Sequence, residues 1–289
     1  MWQKGMMNAV TTPSLCEIRG FILDMDGVIY AGNELLPGAR EFISHLQETE
    51  VPFLFLTNNS SRTPGQYAEK LASLGINVSE NHVFTSALAT ASWLKGIAPA
   101  GTGILVIGER GIREALTQQG FRLVEDHEQA QYVVVGFDST FTYAKAREAA
   151  LAIRRGAPLI ATNADASLPT EQGEIPGAGS IVAMLETATG VKARVIGKPE
   201  PGIFEQALTR LGTRASETAV VGDRYETDIL GGHRAGLKTI GVLCGVTDVR
   251  CFAMADPRPD WVFAHLGELL RAWQEAHAPS NGQHPCRQG

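Results

Sequence analysis

Short apolar runs alternate with amphipathic stretches along almost the whole chain, and this alternation narrows its fold more than any other feature. The runs fall at 20–24, 51–57, 82–85, 104–107, 132–135, 159–162, 195–196, 218–221, 239–243 and 261–263. Each has the length of a strand buried on both faces. Helical patterns lie between them at 39–48, 64–74, 144–155 and 201–211. In 64–74, Tyr67, Leu71 and Leu74 recur at helical spacing and mark one buried face. Strands alternating with helices predict an α/β protein with a mainly parallel, doubly wound, Rossmann-like sheet.

Open parallel sheets gather ligands at the carboxyl ends of their strands, so what each strand delivers there matters. The first delivers Asp24-Met25-Asp26-Gly27-Val28, and the second delivers Thr57-Asn58-Asn59-Ser60-Ser61. The run ending at Ile196 delivers Gly197-Lys198-Pro199, and the one ending at Val221 delivers Gly222-Asp223-Arg224, with Asp228 five residues on. Each set has an ordinary reading. Asp26-Gly27 could close a strand as a turn. Thr57 to Ser60 could cap the helix that starts near Pro64. Lys198 could be a surface charge, Asp223 a turn residue, and Asp228 a helix partner of Arg224. Acid, hydroxyl, lysine and acid at four strand ends form a set that these separate readings do not explain.

That set suits phosphoryl transfer, where catalysis is largely positioning and electrostatic stabilisation. Given a phosphate monoester, Asp24 would attack phosphorus and form an aspartyl-phosphate. Asp26 would protonate the leaving oxygen and then deprotonate the attacking water. The Thr57 hydroxyl and Asn58 backbone N–H, with Asn59 beside them, would hold a phosphoryl oxygen. Lys198 would neutralise another oxygen and restrain Asp24. Oxygen ligands from Asp24, Asp223 and a backbone carbonyl near Asp26 suit magnesium, with Asp228 orienting that group from outside.

These residues resemble the four motifs of the haloacid dehalogenase superfamily of phosphotransferases, over a span from about Gly20 to the helix near Trp273. The resemblance is nearest to phosphatases with a large α/β cap, a group that includes nitrophenyl-phosphatases, phosphoglycolate and pyridoxal phosphate phosphatases and bacterial nucleotide phosphatases. Spacing agrees with that subgroup. Only 33 positions separate Asp24 from Thr57, whereas 141 separate Thr57 from Lys198. The second gap exceeds ordinary core connections by roughly 100 residues. It predicts an inserted, smaller α/β cap over 87–190, with a discontinuous core over 16–86 and 191–275. The run 169–180 also looks like the cap of this group, and Asn163-Ala164-Asp165 would face the active site across a cleft.

The resemblance implies a magnesium-dependent phosphatase acting on a small phosphorylated metabolite, with association into a homodimer through the cap. Asp26 argues against a dehalogenase, which needs no acid for a halide. A phosphomutase or a non-catalytic phosphometabolite-binding protein of the same fold remain as alternatives. Gly108-Glu109-Arg110-Gly111 lacks the complete dinucleotide fingerprint and reads as a turn, and His233 reads as a packing or helix-surface residue.

The net charge of -6 and the lack of a basic stripe argue against nucleic acid. No segment has the length and apolarity of a membrane span, and residues 1–15 lack a signal-peptide core. The expected location is the cytoplasm, with the four cysteines reduced. Flexible termini are expected at 1–15 and 276–289.

Overall fold

A computed structural model of the protein describes residues 14–170 and 172–278. After a 3-10 turn at Leu15–Glu17, the described residues form β1 (Gly20–Leu23), a small hairpin of β2 (Tyr30–Ala31) and β3 (Glu34–Leu35), and α1 (Ala39–Glu48). It continues with β4 (Phe53–Thr57), α2 (Pro64–Ser73), β5 (Val83–Thr85) and α3 (Ser86–Lys95). A middle segment holds β6 (Gly103–Ile107), α4 (Arg110–Gln118), β7 (Arg122–Val124), β8 (Tyr132–Val135), α5 (Tyr143–Arg154) and β9 (Leu159–Ala161). The hairpin β10 (Ser167–Thr170) and β11 (Gly173–Pro176), α6 (Ala178–Thr189) and β12 (Arg194–Val195) follow. The last elements are α7 (Pro201–Leu211), β13 (Thr218–Gly222), α8 (Leu230–Arg234), β14 (Lys238–Val242), α9 (Val249–Met254), β15 (Trp261–Phe263) and α10 (Leu266–His277).

Two parallel sheets carry the architecture. The six-stranded one runs β15-β14-β13-β1-β4-β5 and the five-stranded one β12-β9-β8-β6-β7. In the first, the chain winds outward from β1 through β4 and β5, then returns to the other side of β1 as β13. Neighbouring connections therefore diverge between β1 and β13, where an open sheet has its binding crevice. Phe21, Ile22 and Leu23 are wholly buried because helices cover both faces. On one face, Phe21 makes edge-on ring contacts with Phe42 of α1 and Trp273 of α10, at 5.2 and 5.0 Å. On the other, Ile22, Leu54 and Val220 share one apolar cluster with Phe204 of α7 and with Val106, Val134 and Ile160 of the second sheet.

One expectation changes in detail. The strand leading to Lys198 is β12, which pairs in parallel with β9 at the edge of the five-stranded sheet. The apolar pair Val195-Ile196 signals a strand but not the sheet it joins, because any exposed parallel edge accepts it. The helix at Pro64 is capped by Thr63 in a capping box with Gln66, so the Thr57–Ser60 run is not its cap. Cys16 is disulfide-bonded while Cys244 and Cys251 are free, which corrects the reading of four reduced thiols; the spacing around Cys16 gives no sign of the bond. The termini expected to be flexible lie almost wholly outside the described residues. Among the described residues, no helix is long and apolar enough to cross a membrane.

A buried acid anchors one wall of the crevice. The Asp138 side chain accepts hydrogen bonds from Lys145 Nζ at 2.8 Å, Thr140 N at 2.9 Å and Thr140 Oγ1 at 2.7 Å. Burial alone would raise its carboxyl, but the bonds from Lys145 and Thr140 hold it below the usual carboxylate range. A depressed folded-state value stabilises the protein above the unfolded carboxyl value of roughly 4 and is lost as pH falls through the folded one. Asp138→Asn is expected to lower stability by about 1.5–3 kcal/mol at pH 7. The gap from wild type should narrow as pH falls below the unfolded carboxyl value of roughly 4, as read from urea midpoints at pH 7 and at acid pH.

Candidate active site

The carboxyl ends of β1, β4 and β13 open into a cleft of about 990 Å³, lined by Asp24, Asp26, Thr57, Asn58, Asn59, Lys198 and Asp223. The opposite wall comes from the β10–β11 hairpin and the turn around Phe137 and Ser139. Phe137, Leu168, Pro169 and Ile175 give that wall an apolar character.

Asp24 follows β1 directly. One of its carboxylate oxygens accepts the Met25 N–H at 2.8 Å and lies 3.0 Å from Lys198 Nζ. Its side chain is 15% exposed against 2% for Lys198, so the acid reaches the cleft while the ammonium stands behind it. Lys198 Nζ also reaches Asp228 Oδ1 at 2.6 Å and the Leu56 carbonyl at 3.2 Å. Burial alone would lower the lysine, yet Asp228 and Asp24 together hold it above its ordinary value, and it stays charged. Burial, with Asp24 and Asp223 close by, pushes Asp228 up to about 7 against the pull of Lys198. One ammonium serves several carboxylates.

Asp223 follows β13. Burial and the charge of Asp24 push its carboxyl up to about 6, although the Val246 N–H donates to it at 2.8 Å. Its surroundings leave no room for side chains. A Cβ on Gly27 would sit 2.4 Å from Asp223 Oδ2, and one on Gly245 would sit 2.0 Å from it. One carboxylate oxygen each from Asp24, Asp223 and Asp228 lie within 4.8 Å of one another. An all-oxygen cluster of this kind, with too little positive charge of its own, fits a hard divalent cation. Asp228 is the member already committed, through Lys198 and the Arg224 N–H.

Asp26 stands apart from that cluster. Burial pushes its carboxyl up and Asp24 adds to the rise, while Lys70, Arg62 and Lys198 pull it down. It forms an isolated bridge with Tyr30, and Lys70 Nζ lies 3.5 Å from the centre of the Tyr30 ring. The Tyr30 hydroxyl is buried without a hydrogen-bond partner. An acid that holds its proton more tightly than usual is suited to donating one near neutral pH.

Thr57 is buried at the end of β4, and its Oγ1 accepts the Asn59 N–H at 3.1 Å. Asn59 Oδ1 accepts from the N–H and hydroxyl of Ser61, at 3.0 and 2.7 Å. The Asn58 side chain binds the Lys198 backbone and Asp165, which also lines the cleft. All eight residues singled out in the sequence thus gather around one crevice. Sequence reasoning missed Tyr30, Arg62, Tyr67 and Lys70 around Asp26. The one available signal was that Lys70 follows Tyr67 by a single helical turn.

Comparison with known proteins decides the family. Residues 21–122 match the family model of haloacid dehalogenase-like hydrolases, and residues 195–269 match a second model of the same kind. The chain belongs to the haloacid dehalogenase-like hydrolases. It is 47% identical to the 5'-nucleotidase YutF of Bacillus subtilis over 229 residues, which is 79% of this chain and 88% of that protein. The crystal structure of a 4-nitrophenylphosphatase from Thermotoga maritima matches with a TM-score of 0.85 at 38% identity, covering 90% of this chain and 99% of the other. A glycerol phosphate phosphatase from Mycobacterium tuberculosis, solved in complex with magnesium, matches with a TM-score of 0.83 at 37% identity, covering 91% and 78%. With this family and these relatives, the chain is a phosphoric monoester hydrolase of Rossmann-like core and cap.

Proposed function

We propose that the protein is a magnesium-dependent phosphatase that hydrolyses small-molecule phosphate monoesters through a phosphorylated Asp24. The observation that carries this reading is the Lys198 ammonium, buried 3.0 Å behind an Asp24 carboxylate that faces the cleft. Asp24 attacks phosphorus, the bond to the leaving oxygen breaks, and Asp26 gives that oxygen its proton. Water then attacks the phosphorylated Asp24, Asp26 takes the water proton, and the phosphorus–Asp24 bond breaks to release phosphate. Thr57 and the backbone at Asn58 and Asn59 hold a phosphoryl oxygen, and Lys198 offsets charge on another.

Magnesium would be held by Asp24, Asp223 and the Asp26 backbone carbonyl, with Asp228 outside it keeping Lys198 in place. When bound, the ion offsets the repulsion between the Asp24 carboxylate and the incoming phosphate. The segment 87–190 acts as a cap that excludes water, and the apolar wall at Phe137, Leu168 and Ile175 meets the leaving group. A small phosphorylated metabolite is the partner, and two copies associate through the cap.

Purified protein is expected to release phosphate from nitrophenyl phosphate in magnesium. Chelator should lower the rate at least about 100-fold, and added magnesium should restore it. Full turnover in chelator would remove the ion from the mechanism.

A further inference from the structure

We propose that Asn58 and Asp165 are a positioning pair that fixes where Lys198 stands, with Asp165 determining which way the Asn58 carboxamide faces. This rests on the catalytic reading of Lys198 above and adds two residues that touch neither phosphate nor metal through their side chains.

Asn58 is only 8% exposed, and both ends of its amide are in use. Its Oδ1 accepts the Lys198 N–H at 2.7 Å, and its Nδ2 donates to the Lys198 carbonyl at 2.9 Å. One side chain therefore grips the lysine backbone at both polar groups, across 140 positions of sequence. The same Nδ2 donates to the Asp165 carboxylate, at 3.1 Å to one oxygen and 3.3 Å to the other. The Asn58 main chain is pinned as well. Its carbonyl accepts from Asn163 Nδ2 at 2.8 Å and from Ser86 Oγ at 2.5 Å. Asp165 is tied to the same group, because its N–H donates to Asn163 Oδ1 at 3.0 Å.

The chemistry of an amide explains what Asp165 adds. A carboxamide turned end for end occupies nearly the same volume, so packing alone selects its orientation weakly. Reversed here, Nδ2 would face the Lys198 N–H, while Oδ1 would face the Lys198 carbonyl and a carboxylate. Every attractive contact would become repulsive. A buried unmet donor or acceptor costs about 1–3 kcal/mol, and the Asp165 charge raises the penalty for the wrong orientation.

The consequence lies at the other end of the lysine. Its ammonium must meet Asp24 at 3.0 Å and Asp228 at 2.6 Å together. Four flexible side-chain bonds cannot ensure that unless the backbone is fixed. A displacement of about 1 Å at a reacting group costs on the order of 100-fold in rate.

The test uses the full-length protein in saturating magnesium, with kcat and KM for nitrophenyl phosphate and the thermal midpoint of each variant. Asp165→Ala is expected to lower kcat about 10- to 100-fold with KM within about threefold of wild type. Asp165→Asn can still offer an oxygen to Asn58 Nδ2 and should stay within about fivefold of wild-type kcat. Asn58→Asp keeps the shape but loses both N–H donors, and a fall in kcat of at least about 100-fold is expected. Wild-type kcat in Asn58→Asp or Asp165→Ala would overturn the proposal. So would equal losses in Asp165→Asn and Asp165→Ala, or a change confined to KM, which would place Asp165 against the leaving group. Wild-type protein inactive in magnesium would instead refute the phosphatase reading itself.

Discussion

Asp24→Asn is expected to give a folded protein that releases phosphate at least about 10³-fold more slowly than wild type. The amide keeps the shape of the side chain and an oxygen that can accept the Met25 N–H now bonded at 2.8 Å. What it loses is the charged oxygen that attacks phosphorus in the proposed mechanism. No neighbour can take over. Asp228 is wholly buried and bonded to Lys198, Asp223 is boxed in by Gly27 and Gly245, and Asp26 stands on the side of the leaving group in this reading. Stability should change little, because the variant removes one of several carboxylates that share a single ammonium. The thermal midpoint and the steady-state rate, measured on one preparation, check both halves of the expectation.

Lys198→Met is expected to cost stability and activity together. The lysine side chain is 2% exposed and its partner Asp228 is 0% exposed. Removing one member of a buried ion pair typically costs about 3–5 kcal/mol, because the charge left behind is buried without its counter-charge. Turnover should be lost as well, since Asp24 and phosphate would meet without the cation between them. The double variant Lys198→Met/Asp228→Asn separates the two effects. Removing the stranded charge should return a large part of the lost stability, read from urea midpoints, while turnover stays absent. Equal instability in the single and double variants would show that Lys198 contributes packing rather than charge pairing.

How far the sequence discloses this protein differs from element to element. The buried strands were legible because a run such as Phe21-Ile22-Leu23 can only be covered on both faces. The residues at strand ends were legible because two acids, a hydroxyl and a lysine have no packing role there. Sheet membership was not legible. The Val195-Ile196 run is apolar whichever edge it joins, and β12 lies beside β9 rather than in the sheet that carries Asp24. The environment of Asp26 was also hidden, since Tyr30, Arg62 and Lys70 reach it from three separate places in the chain. The grip of Asn58 on Lys198 spans 140 positions, and the motif that contains Asn58 pointed to its backbone rather than its side chain. Long-range amide contacts leave no periodic trace in a sequence. The cleft wall at Phe137, Leu168 and Ile175 is apolar, and apolar side chains carry little readable code.

The central claim is that phosphorus passes through Asp24. An acyl phosphate is reduced by borohydride, which converts a phosphorylated aspartate to homoserine. The protein, mixed with nitrophenyl phosphate and magnesium, is acid-quenched during turnover, reduced and digested, and the peptide carrying residues 20–30 is analysed by mass spectrometry. Homoserine at position 24, absent without substrate, is the predicted result. Homoserine at position 26, or an unmodified peptide from an enzyme that turns over and is quenched before its second step, would contradict it.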